Sequence, residues 1–411
     1  MRHGLRFVMI LFLLLLPLAF TFAGGSPEGG GTMPATEAKI TGYLLGDAPT
    51  GMPDVLQALN ARLKKDLNVT MEINYIGWGD FQAKYPLVLA AGEDIDWIFT
   101  ANWSFYFQEA AKGAFLELTD SMLKQNMPLH SKVLPPAAWN QVRLDDGKIY
   151  MIPTPTPDRK VPVAVIRGDL RKKYGVAPIT KFSGMEPYLK AIKANEPSMI
   201  PMNMESTYDV GQPFSYLSYA NGPYFEDILY STGSGTGVNW LLGDKTNKLH
   251  YILDEPLLSW HKQAAKTMKA WYDAGYINKD VFANKVRSKD SFVQGKSAVG
   301  FGNSIDIQST IAGATANGWE VELVPGLDGN SHYRADPYLN NGVALAANTK
   351  NAARTLQVLD RIIEDKSYNF LVYFGIEGKN YVMKDNMIAP EAPGLFTTTT
   401  GCFQIFSRVA A

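Results

Sequence analysis

Two periods of apolar residues share the first hundred positions. Residues 40–45 form a short apolar run that stops at Gly46-Asp47 and reads as a strand. Val55, Leu56, Leu59, Leu63 and Leu67 then recur at helical spacing, with Pro53 suited to the first turn and Asp54 to the positive end of the helix. Over 69–76 the period falls to two: Val69, Met71, Ile73 and Tyr75 alternate with Thr70, Glu72 and Asn74. A second helix is expected over 80–91, closed by Gly92, and IDWIFT at 95–100 reads as a buried strand. Strand, helix, strand, helix, strand argues for an α/β architecture, with a parallel sheet covered by helices on both faces. Ligands of open sheets of this kind sit beyond the carboxyl ends of the strands. The loops there are Gly46-Asp47, Gly77-Trp78-Gly79 and Ala101-Asn102-Trp103.

A second set of elements begins near 148. Residues 148–153 and 161–167 read as strands around Pro153, Pro155 and Pro157. Prolines are poor in a central strand and good in a stiff connector, so 153–160 is expected to cross between two lobes. A long helix over 255–274 places His261, Ala264, Met268 and Trp271 on one face and ends at Gly275. Residues 341–347 read as a strand and 351–365 as a helix. A chain of 411 residues with 46% apolar content suits two domains.

The N-terminus changes the expected compartment. Arg2, His3 and Arg6 precede an apolar run over 7–20, and Thr21-Phe22-Ala23 is followed by Gly24. Basic, apolar, then small residues is the layout of a cleaved secretory signal, here 1–23. The run is short for a span of about 20 apolar residues. Residues 24–37 are Gly-rich and polar and read as a flexible leader. The formal net charge is −1 and no basic stripe occurs, which disfavours nucleic acid as a partner. Cys402 is the single cysteine, so no internal disulfide and no thiolate metal site is expected. The five histidines are scattered, and no metal or other cofactor is expected.

Catalytic motifs are weak. The triplet Gly295-Lys296-Ser297 lacks a phosphate loop's earlier glycine, because Asp290 stands there. The Gly-rich run 233–237 has no dinucleotide spacing and reads as a surface loop. Residues 302–306 begin like a nucleophile elbow, yet Asp306 replaces the closing glycine. The pairs Asp94 with Asp96, Asp145 with Asp146 and Asp254 with Glu255 fit turns and helix starts better than glycoside chemistry. Aromatic residues among Gly, Asn, Asp and Thr stand out more: Trp78, Trp103, Tyr106, Tyr208, Trp240, Phe301 and Tyr338. A sugar offers apolar C–H faces and hydroxyl edges. Its site needs flat rings to stack on, with amides and carboxylates beside them.

Several blocks then carry a family resemblance: LAAGEDIDWIFT at 89–100, GAFLEL at 113–118, DGKIYMIP at 146–153, RGDLRKKYG at 167–175, GYI at 275–277 and FVQGKSA at 292–298. In order and spacing, over roughly 38–380, the chain resembles the extracellular solute-binding proteins of carbohydrate-type ABC importers. That group includes maltose-binding proteins, and the likeness is strongest to its LipO-like lipoprotein branch. The resemblance implies a two-lobed periplasmic-binding-protein fold with a ligand cleft at the hinge. Lobe one would be 38–155 plus 338–366, and lobe two 160–335 plus 367–411. Ala23-Gly24 stands where many relatives carry a lipid-bearing cysteine, so a free periplasmic protein is expected. The chain also ends earlier than its relatives, and lobe two is expected to lack closing helices.

The implied function is capture of a sugar or oligosaccharide and its delivery to ABC importer permease subunits, by a monomer without enzyme activity. The expected ligand contacts in lobe one are Asp47, Trp78, Asn102 and Trp103. Those in lobe two are Arg167, Glu205, Tyr208, Asn303 and Asp306, with Asn340 at the crossing. Arg167 suits an acidic sugar or else pairs with Asp169. A peptide-binding protein of the same fold and an exported carbohydrate-active enzyme stay open as alternatives.

Overall fold

The computed structural model describes residues 36–390 apart from 50, 92–93, 229–235, 328–334 and 385–386. The expected signal segment 1–23, most of the leader 24–37, Gly92 as the close of the second helix, residues 233–235 of the glycine run and the tail with Cys402 lie outside the described residues.

The period-two stretch becomes β2 (Val69–Ile76) and the run before it β1 (Ala38–Leu45), paired in parallel from Ala38 opposite Val69 to Leu45 opposite Ile76. The helix Met52–Leu67 joins them and buries Val55, Leu59 and Leu63, the stripe read from the spacing. It ends at Asn68, which takes the left-handed conformation at φ 50°. On the other side of β1 lies β3 (Trp97–Thr100), again parallel. Beyond β3 the sheet departs from the expected all-parallel pattern. The strand β11 (Gly342–Leu345) returns from late in the chain and runs antiparallel to β3. The short β4 (Ile152–Pro153) runs antiparallel to β11, giving the order β2-β1-β3-β11-β4. The strand expected over 148–153 shrinks to these two residues. Ile149 instead bridges Arg143 across a turn at Gly147 (φ 81°).

The second lobe is built on β5 (Pro162–Arg167), which lies between β9 (Val299–Asn303) and β10 (Val321–Pro325), antiparallel to both. Alternation along β5 feeds two cores. Ala164 and Ile166 face Phe182, Trp271 and Phe301, while Val163 and Val165 face Phe292, Ile307 and Ala314. The helix Leu257–Asp273 supplies Ala264 and Trp271 to the larger core, and Gly275 at φ 74° turns the chain away. A small antiparallel sheet, β6 (Phe225–Asp227), β7 (Val238–Leu241) and β8 (Leu249–Tyr251), docks on this helix through Phe225 against Trp260 and His261.

The chain passes between the lobes at 154–161 and returns at 337–341. These two passages are bound to each other. Asp336 N–H donates to the Asp158 carbonyl at 2.8 Å, Asn341 Nδ2 donates to Asp158 Oδ2 at 2.7 Å, and Lys160 Nζ pairs with Asp336 at 2.7 Å. Burial raises the pKa of Asp158 above the usual carboxylate value, against the pull of Lys160.

One assignment to the second lobe changes. The helix Lys366–Phe374, expected there with 367–411, puts Tyr368, Leu371 and Val372 into the first-lobe core. Its apolar stripe has a matching surface on the helices Met52–Leu67 and Ala352–Glu364, and Tyr368 donates to Asp66 at 2.8 Å. Among the described residues no helix is long and apolar enough to cross a membrane.

Gly42 stands opposite Trp97 in the β1–β3 register, and a Cβ there would lie 2.0 Å from the indole Cε2. Trp97 is fully buried, so the ring has little room to retreat. Gly42→Ala should lower the unfolding free energy by about 1–3 kcal/mol, the usual cost of overpacking a core. Urea denaturation checks this; an unchanged midpoint would show that the indole can move aside.

Candidate functional site

The loops at the carboxyl ends of β2 and β3 bring two indoles together. Trp78 and Trp103 lie nearly parallel, with ring centroids 6.1 Å apart and planes at 27°. Phe81 supports both edge-on from the core at 6.1 and 6.3 Å. The Trp103 indole N–H donates to the Asn340 carbonyl at 2.8 Å, which fixes the ring against the returning passage. Lobe two meets Trp78 from across the cleft. Tyr208 approaches it edge-on at 5.7 Å, and the Arg287 guanidinium carbon lies 5.0 Å from the ring centroid.

The lobe-two wall is shaped by carboxylates that bind backbone. Glu205 is buried and accepts hydrogen bonds from the N–H groups of Thr207, Tyr208 and Asp209 at 2.6, 2.5 and 3.1 Å. That turn presents Tyr208 to the cleft. Asp209 accepts from Ser288 N–H at 2.6 Å and Ser288 Oγ at 2.8 Å, so the turn is tied to the residue after Arg287. Burial pushes the Asp209 carboxyl up to about 6, against these hydrogen bonds. Asn303 Oδ1 accepts from Ile305 and Asp306 N–H, both at 3.0 Å. Asp306 accepts from Asn303 N–H at 2.7 Å and pairs with Lys289 at 2.6 Å. The 302–306 segment is therefore a self-bonded turn. Its Gly302 lets Asp306 fold back, since a Cβ would sit 2.5 Å from the carboxylate.

The central cavity, about 250 Å³, is lined by Trp78, Trp103, Tyr208, Arg287, Asn303 and Asp306 among others. It shares Trp78 and Arg287 with a hollow of about 580 Å³ that contains Asp47, Lys285 and Ser309. It shares Tyr208 and Asn303 with another of about 440 Å³ that contains Gln212, Tyr219 and Tyr224. Among the described residues no group of His, Cys, Asp and Glu side chains gathers as a metal site.

The structure thus brings Asp47, Trp78, Trp103, Tyr208, Asn303 and Asp306 to one groove. Four expected contacts lie off it. Asn102 is buried behind Trp103, with its N–H donating to the Leu339 carbonyl. Arg167 grips Asp169 through two hydrogen bonds of 2.8 and 2.6 Å and stacks on Trp319 at 4.0 Å. Glu205 acts behind Tyr208. Asn340 is buried, with its amide donating to Asp336 at 3.1 Å. Residues the sequence reading passed over line the groove instead: Lys160, Asp209, Gln212, Arg287, Lys289 and Asn341. Arg287 and Lys289 lie just ahead of the block at 292–298, and Asn341 follows Asn340. Apart from Asp209, which follows Tyr208, these residues have no aromatic neighbour in sequence and gave no signal of their own.

Asp209 makes stability depend on pH. A carboxyl raised from 3.8 to about 6 binds its proton more tightly in the folded chain. Its contribution is fully present below 3.8 and is lost as pH rises through about 6. In urea denaturation between these limits, the wild type should lose stability relative to Asp209→Asn as pH rises. A difference that stays constant would show an ordinary carboxyl at this position.

A family model described as bacterial extracellular solute-binding protein matches residues 58–365. A carbohydrate ABC transporter substrate-binding protein of Streptococcus pneumoniae is 27% identical over 346 residues, covering 82% of this chain and 64% of that protein. The chain therefore spans less than two thirds of that relative's length (64%). Lipoprotein LipO of Bacillus subtilis is 24% identical, covering 91% of this chain and 74% of that one. Among solved structures, the N-glycan transport solute binding protein of Streptococcus pneumoniae in complex with Man5GlcNAc superposes with a TM-score of 0.67 at 22% identity. That match covers 88% of this chain and 76% of the other, and it bears on the fold.

Proposed function

Because the chain belongs to the bacterial extracellular solute-binding proteins, we propose that it captures a sugar or oligosaccharide between its lobes and delivers it to the permease subunits of an ABC importer. One observation carries the reading: two stacked indoles face a wall of amides and charged groups across a cleft between two separate cores. Indole faces suit the C–H faces of a pyranose, and the polar wall suits its hydroxyls. Trp78, Trp103 and Tyr208 stack on the ligand. Asn303, Asp306, Arg287 and Gln212 take its hydroxyls, and Asp47 serves the outer hollow. The names of the pneumococcal relatives, which bind carbohydrate, support the same class.

The protein works by closure of the lobes about the double passage at 154–161 and 337–341. A ligand touched by both lobes favours the closed arrangement by its differential affinity for it. It acts outside the cytoplasm as a monomer and transforms nothing. Glycoside hydrolysis needs two carboxyl groups free to act on the bond. Of the carboxyls lining this cleft, Asp209 is committed to Ser288 and Asp306 to Lys289, while Asp290 and Asp47 lie toward the outer hollow.

The test is melting temperature of the purified chain against mono- and oligosaccharides, acidic sugars and short peptides. A sugar that binds the native state should raise it. Trp78→Ala and Trp103→Ala should each weaken that sugar on the order of tenfold, as loss of an anchoring aromatic does. Shifts with peptides alone would replace the sugar reading. New reducing ends from a polysaccharide would replace binding with catalysis.

A further inference from the structure

Trp240 and Tyr338 were singled out by their sequence context, yet neither lines the central cavity. The structure brings them together elsewhere. A hollow of about 340 Å³ is lined by Trp240 of β7, Glu226 and Asp227 of β6, Tyr338 of the returning passage and Gln141 of lobe one. Trp240 pairs with Glu226 in the β6–β7 register, so an aromatic face and a carboxylate share one side of the small sheet. From lobe one, Gln141 Oε1 accepts the Tyr338 N–H at 2.7 Å and holds that corner in place. Like the central cavity it combines rings, an amide and carboxylates, but it has one amide where the central cavity has three, and no cation.

This hollow adjoins the cleft. It shares Asp336 with the hollow that contains Tyr219 and Tyr224, whose rings lie 5.0 Å apart. That hollow in turn shares Tyr208 and Asn303 with the central cavity. Aromatic side chains thus follow one path, from Trp78 and Trp103 past Tyr208 and Tyr219 to Trp240 and Tyr338. The central cavity, at about 250 Å³, falls below the roughly 300–1,000 Å³ typical of a small-ligand pocket. A ligand that fills the path has to be longer than the central cavity alone admits.

We propose that the Trp240–Tyr338 hollow is a distal carbohydrate subsite, and that it makes the protein select glycans of several residues over mono- and disaccharides. This rests on the sugar reading of the cleft. The central indoles hold one part of the chain, and the distal rings hold a residue further along it. Gln141 and Glu226 take hydroxyls there. Removing the distal rings leaves the central contacts in place.

Isothermal titration calorimetry with size-graded manno-, gluco-, xylo- and galacturono-oligosaccharides, from the monosaccharide to the hexasaccharide, tests this. In the series that binds, affinity should rise about tenfold or more between the disaccharide and the longer members. Trp240→Ala should abolish that rise and leave disaccharide binding unchanged. Gln141→Ala, an exposed position on a different lobe, should reduce the same increment, so the answer does not depend on the small sheet tolerating a lost tryptophan. Affinity that is flat with length, or a rise that survives Trp240→Ala, overturns the distal subsite and leaves the sugar reading standing. If no series binds at all, the sugar reading itself fails and the subsite falls with it.

Discussion

The cleft depends on how two passages of backbone are held. Lobe one and lobe two have separate cores, and chain continuity joins them at 154–161 and 337–341. Left apart, two passages would give each lobe wide freedom. Here they are cross-bound at Asp158, Lys160, Asp336 and Asn341. Pro155 and Pro157 narrow the first passage further, since each fixes its own φ. Placing Asp158 out of water is costly, as its raised pKa records. Lys160 and the Asn341 amide offset that cost and set the register between the passages. The same ribbon positions the site, since the Asn340 carbonyl holds Trp103 and Asn341 itself lines the cavity.

A second constraint explains why the lobe-two wall misled a reading of residue types. Carboxylates near predicted strand ends are candidates for sugar hydroxyls, but loops that leave a sheet also carry backbone N–H groups that need acceptors. Glu205 meets that need in full, with its oxygens taken by three successive residues. Asp209 meets it at the next junction and Asp306 at the one after. The polar groups of the cleft therefore share two tasks. Glu205 only fixes a turn, Asn303 and Asp306 both fix a turn and line the groove, and Tyr208 and Arg287 face it.

The parts legible in the sequence were those with a local period or a local breaker. β1, β2 and the helix between them follow from spacing alone, and so do the two tryptophans, because each sits directly after a strand. The proline stretch marked the first passage. Long-range pairing was not legible: nothing local says that β11 returns antiparallel beside β3, or that Lys366–Phe374 finds its partner on the first lobe. Arg167 shows the limit most clearly. A cation at a strand end fits a site and an ion pair equally, and the decision lay two residues on, at Asp169.

Trp78 carries the last step. Its ring is met by Trp103 from its own lobe and by Tyr208 and Arg287 from the other, so it is a point where the lobes touch. On the proposed function, a pyranose stacked on the face toward Arg287 would displace the guanidinium, and its binding energy would be the difference between two sets of contacts. Arg287 is mostly buried, and its bond to Asp290 is long at 3.4 Å. The ion pair adds little to hold the guanidinium against the ring, and a ring hydroxyl in its place would recover part of the loss. Of the cations lining the cavity, Lys289 and Lys160 are closely paired and Arg287 is the one with a long contact, so polar exchange at the indole face falls to Arg287.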